Sequence, residues 1–142
     1  MKVTKLEIEY HYDFLLFGLI APHKEYKVAW TLNQLLNIDL ASGSDVEIKY
    51  KNQSSVKFCN YLYETDYVTF RLLRNKAIES DKITKPYLLP ELKEYDYFLI
   101  VEGDEDILDR QDIKKPIKHS ELFTYVEEFN AQVLKSRENL IF

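Results

Sequence analysis

The stretch Phe14-Leu15-Leu16-Phe17-Gly18-Leu19-Ile20 is apolar throughout, and Pro22 follows two residues later. A run of this length closed by a proline predicts a β-strand buried on both faces, and so an interior place in a sheet. Beyond the proline the period changes. When residues 24–37 are wound at about 100° per residue, Val28, Ala29, Leu32, Leu35 and Leu36 fall in one stripe about 120° wide, the pattern of an amphipathic helix. Tyr26, Trp30 and Asn33 lie beside that stripe and are candidates for a second contact surface.

Outward from this strand–helix unit, Ala41-Ser42-Gly43-Ser44-Asp45 is a turn cluster, and the alternating residues 46–50 predict a short edge strand. Residues 56–63 and 67–73 are aromatic and β-branched runs separated by Glu64-Thr65-Asp66, which predicts an antiparallel hairpin. The polar stretch 75–85, with Pro86 and Pro90 around Tyr87-Leu88-Leu89, reads as a long connection holding one helical turn. Residues 95–101 return to strand pattern and end at Gly103. Asp104 then predicts a helix cap, with Glu105 and Asp106 in the first turn and Ile107, Leu108 and Ile113 as apolar contacts, ending at Pro116. A last strand is expected over 122–129, and the apolar end Leu140-Ile141-Phe142 is expected to dock.

Tyr12-Asp13-Phe14-Leu15-Leu16 echoes Tyr95-Asp96-Tyr97-Phe98-Leu99, and each run is a strand followed by a helix. The expected architecture is one α+β domain over residues 1–142: a mainly antiparallel sheet with two helices packed on one face, in two layers, as in a ferredoxin-like variant.

Composition narrows the function. The 142 residues, 46% of them hydrophobic, suffice for one domain with a full core. Only three glycines occur, so neither a dinucleotide-binding turn nor a phosphate-cradling P-loop can be written. The net charge of −5 resides in one segment, where Glu102, Asp104, Glu105, Asp106, Asp109 and Asp112 face Arg110 alone; the rest balances 18 acids with 18 bases. With no basic field, binding to nucleic acid or an anionic membrane is disfavoured. A single cysteine, Cys59, no apolar leader after Met1 and no apolar run near the roughly 20 residues of a membrane span lead to the expectation of a soluble, cytoplasmic protein.

No catalytic set assembles from the residues. Glu91 and Asp96, joined by Asp13 if the two Tyr-Asp strands are neighbours, are the one candidate carboxylate group, and turn acids held by hydrogen bonds are the commoner case. His11, His23 and His119 lack metal-ligand spacing, Cys59 lies in an apolar run, and Gly103 precedes the acidic segment rather than completing a calcium loop, so no metal or cofactor is expected. Tyr61, Tyr63 and Tyr67 suggest a base-stacking platform, but the RNA-binding consensus is missing. Eleven tyrosines fit better with a protein interface.

Leu89-Pro90-Glu91-Leu92-Lys93-Glu94-Tyr95-Asp96-Tyr97 resembles the signature that names the IPExxxVDY family of bacterial proteins, with Leu89 in place of Ile and Tyr95 in place of Val. The likeness extends to the Asp13-Phe14 strand leading to Gly18, the helix bearing Trp30 and Asn33, and Asn139-Leu140, and so spans nearly the whole chain. It implies a small cytoplasmic protein and assigns no activity, cofactor or catalytic residue. The motif also has a structural reading, with Pro90 opening a helical turn, Glu91 at that turn's positive end and Asp96 opening a strand. Two functions follow as expectations. The first is a non-catalytic interaction module that forms a homodimer through Tyr26, Trp30 and Asn33 and engages a protein partner. The second is a small-molecule sensor or small enzyme with a pocket at Leu89, Pro90, Glu91, Tyr95, Asp96 and Tyr97.

Overall fold

The computed structural model describes residues 12–49, 55–78, 86–104, 106 and 108–142. Strand β1 (Leu15–Ile20) leads into helix α1 (Glu25–Leu36), followed by β2 (Ala41–Ser42), β3 (Val46–Lys49), β4 (Ser55–Phe58), β5 (Asn60–Glu64) and β6 (Val68–Arg74). A 3-10 turn (Pro90–Leu92) precedes β7 (Tyr97–Gly103), α2 (Arg110–His119) and β8 (Tyr125–Phe129), and two further 3-10 turns (Ala131–Val133 and Arg137–Leu140) close the chain. Six strands form one sheet in the order β2-β5-β6-β7-β1-β8, and every pairing is antiparallel. The protein is thus α+β. The order β8-β1-β7-β6 around the two helices is also that of a ferredoxin-like variant, here with β2 to β5 inserted after α1.

As its unbroken apolar run predicts, β1 is interior, with Leu15 opposite Val101 on one side and Gly18 opposite Glu127 on the other. Its side chains alternate between two cores. Phe17 and Leu19 join Val28, Ala29 and Leu32 of α1, Ile113 and Ile117 of α2, and Phe70, Leu72, Leu99 and Val101 of the sheet, so both helices share one face. Leu16 joins Leu73, Phe98 and Ile100 on the opposite face, beneath Val56 and Phe58 of β4, Leu88, Leu89, Ala131, Leu134 and Leu140. The expected two layers are therefore three, because that second face is as apolar as the first and is roofed by the β3–β4 hairpin, the 86–95 segment and the chain's last residues.

Other boundaries differ for local reasons. The run 56–63 is two strands: it changes sheets at Cys59, β4 pairing with β3 and β5 with β6. Ala41 and Ser42 of the turn cluster pair with β5. Helix α2 starts after Asp109, whose carboxylate accepts the Gln111 N–H at 2.9 Å, whereas Asp104 caps a separate turn by accepting the Asp106 N–H at 3.1 Å. Pro116 lies inside α2 rather than ending it, held there by the burial of Ile113 and Ile117 on either side. The Glu64 to Val68 hairpin forms as expected, and the Thr65 hydroxyl accepts the N–H groups of Tyr67 and Val68 at 3.2 and 3.1 Å. The tail docks through Leu140, 2% exposed, and the Arg71 guanidinium stacks 4.4 Å from the centre of the Phe142 ring. Tyr50, Glu105, Ile107 and the middle of the 75–85 connection lie outside the described residues.

Candidate functional site

The 89–97 segment is tied down by groups distant in sequence. Asn75 is buried directly behind β6, and its amide accepts the Leu89 N–H at 2.9 Å while donating to the carbonyls of Leu92 and Tyr95 at 3.0 and 2.9 Å. Its backbone adds the Leu88 N–H at 2.8 Å and the Asp96 carbonyl at 2.9 Å. One side chain therefore satisfies three backbone groups that lie outside any helix or strand ladder. Asn139 donates to the Leu88 carbonyl at 2.8 Å, joining the chain's end to the same loop.

Pro90 opens the 3-10 turn, as its fixed φ predicts, but Glu91 turns to the C-terminal segment: Oε2 accepts the Ser136 N–H at 2.7 Å. Its other oxygen, Oε1, is sealed from solvent without a hydrogen-bond partner. Burial pushes this carboxyl up, but the N–H groups of Glu91 itself, Ser136 and Lys135 outweigh it and hold the group below the usual glutamate value. Asp96 has a different task, accepting the Ala21 N–H at 2.8 Å where β1 ends. The two carboxylates serve separate backbone partners and share no proton. Asp13 does not join them: β1 and β7 are neighbours but antiparallel, so Asp13 and Asp96 lie at opposite ends of the pair.

The two motif tyrosines point to opposite layers. Tyr95 packs against Phe98 and meets Phe129 edge-on at 5.1 Å between centroids, and its hydroxyl donates to Glu127 at 2.5 Å. Tyr97 packs with the helix-side core, and its hydroxyl donates to the His23 carbonyl. Burial raises the acidity constant of both phenols, for Tyr95 reinforced by the Glu127 carboxylate.

Between these residues and the start of α1 is an open cleft of about 370 Å³, bounded by Ala21 to Lys24, Arg74, Lys76, Tyr87, Lys93 and the run Tyr95, Asp96 and Tyr97. Leu89, Pro90 and Glu91 do not line it. Arg74 also pairs with Glu25 of α1 at 3.2 Å. Sequence reading missed Asn75, Arg74, Lys76 and Lys93. An asparagine after a strand and lone bases tens of residues apart carry no periodic signal, so nothing short of the fold brings them together.

Of the residues beside the α1 stripe, Tyr26 and Trp30 are 64% and 63% exposed. Asn33 instead clasps the loop after the helix, its amide accepting the Leu40 N–H at 2.7 Å and donating to the Leu40 carbonyl at 3.2 Å. Tyr61 and Tyr63 are half-buried against the helix-side core while Tyr67 is exposed in the hairpin turn, so the three do not form one platform. Burial, then Glu25 and Asp45, push the Cys59 thiol up. His11 lies outside the described residues, and among the described residues no three His, Cys, Asp or Glu side chains converge. No described helix is long and apolar enough to cross a membrane.

Compared with known proteins, the chain matches no family model, and no curated protein is significantly similar to it.

Proposed function

We propose that the protein is a non-catalytic interaction module of the cytoplasm that associates with a second copy of itself through the outer face of α1. The observation that carries this reading is the pair Tyr26 and Trp30, one helical turn apart and about two-thirds exposed, on a helix whose opposite stripe already fills the core. Each ring can remove about 150–250 Å² from water, and aromatic anchors of this kind form the centres of interfaces. Two helices meeting across a two-fold axis bring each Trp30 to the other copy's Tyr26. Tyr26→Ala combined with Trp30→Ala should convert a dimer to a folded monomer in sedimentation equilibrium. A parent chain that is monomeric at high concentration, or a variant that still dimerises, overturns the reading.

A second reading, a small-molecule sensor, is supported by the cleft beside Tyr95, Asp96 and Tyr97, whose volume of about 370 Å³ is within the range of metabolite pockets. The 89–97 residues also support membership of the IPExxxVDY family, in which Gly18, Asn139 and the motif would serve one packing unit: Gly18 lies under Tyr95, and Asn139 bonds Leu88. A stabilising metabolite found by thermal shift, its effect lost in Asp96→Asn, would support the sensor. A broad library without effect would remove it.

A further inference from the structure

Among its bounding side chains the cleft at the start of α1 gathers four permanent cations, Lys24, Arg74, Lys76 and Lys93, against the single carboxylate of Asp96. They arrive from four places: the residue before α1, the end of β6, the bridge that joins Lys76 to Tyr87, and the turn before β7. In a chain of net charge −5 such a concentration is unexpected. Asp96 is already engaged by the Ala21 N–H, and even with Glu25, which pairs with Arg74, counted against them, the cations keep an excess of two among the described residues.

We propose that this cleft binds the phosphate group of a small anionic ligand, an inference that rests on the sensor reading and names its ligand class. An excess of two positive charges matches a phosphate dianion, and a guanidinium beside ammonium groups provides both a planar fork and point charges for its oxygens. The space exceeds that of the ion alone and leaves room for a metabolite body. Helix α1 adds to the field, since its first turn has no side-chain cap and its positive end lies at the same Lys24.

The test is a nuclear magnetic resonance titration of the full isotope-labelled chain at constant ionic strength, with inorganic phosphate, a sugar phosphate and succinate as separate probes. Saturable shifts of the Ala21, Lys24, Lys76 and Lys93 amides with phosphate are expected. Lys76→Glu with Lys93→Glu, both exposed positions, should weaken that binding by about tenfold or more while leaving the spectrum of a folded chain. Tighter binding of the sugar phosphate identifies a phosphorylated metabolite as the ligand; equal binding identifies the free ion. Succinate binding as tightly as phosphate overturns the phosphate assignment and leaves the sensor reading in place. Unchanged phosphate binding by the double variant also overturns the assignment, and a cleft that responds to none of the three overturns both.

Discussion

At the scale of single residues, Gly18 shows why a strand otherwise made of large apolar side chains contains a glycine. A Cβ there would lie 2.7 Å from ring carbons of both Tyr95 and Phe129, so the rings occupy the space a side chain would need. Gly18→Ala should cost about 1–3 kcal/mol through overpacking, read as a lower urea midpoint, and an unchanged midpoint would show that the rings move aside freely. Glu91 yields a prediction with a sign. Its folded carboxyl is the stronger acid, so its contribution is complete above the unfolded value of about 4.3 and is lost as pH falls through the lower folded value. Glu91→Gln should therefore destabilise the protein near neutral pH, and the gap to the parent should narrow on acidification below about pH 4. A gap independent of pH in urea unfolding would mean that the Ser136 contact is no stronger for the ionised group. The motif residues were visible in the sequence, but their partners Asn75 and Ser136 were not, because a hydrogen bond across 14 or 45 residues leaves no local pattern.

At the scale of elements, β1, α1 and the β5–β6 hairpin were legible because each satisfies its own period: continuous burial, a 3.6-residue stripe and a polar turn between β-branched runs. Helix α2 was legible in existence but not in extent. Two aspartates compete to cap it, and Pro116, a local stop signal, is overridden by the burial of Ile113 and Ile117. The proline removes the N–H that the Asp112 carbonyl would otherwise accept, so Pro116→Ala should stabilise the protein by about 1–2 kcal/mol, less than the roughly 3 kcal/mol of an interior proline because the unfolded chain gains freedom. A lower melting temperature for this variant would show that the proline fits a kink the core requires. The change of sheet at Cys59 had no signal at all, since β4 and β5 together read as one apolar run.

At the scale of the whole molecule, Tyr95 and Tyr97 join the three layers from adjacent positions, one reaching Glu127 of β8 on the far face and the other the His23 carbonyl before α1. Both phenols hold their protons more tightly when folded, so above the ordinary tyrosine value of about 10 the unfolded chain ionises first and stability falls as pH rises. The urea midpoint should drop between about pH 9 and about pH 11, and Tyr97→Phe should flatten that drop. A parent midpoint constant over this range would mean that neither hydroxyl is held as described. The amino-acid sequence by itself determined the α+β class, the antiparallel character of the sheet, the helix that covers it and the location of the acidic charge, because these follow from the periodicity of neighbouring residues and from simple counting. Only the tertiary structure decided the third layer, the clamp of Asn75 on the 89–97 segment and the convergence of Lys24, Arg74, Lys76 and Lys93 on one cleft. Those features are made of contacts between segments far apart in the chain, and side chains brought together by folding need share no pattern along it.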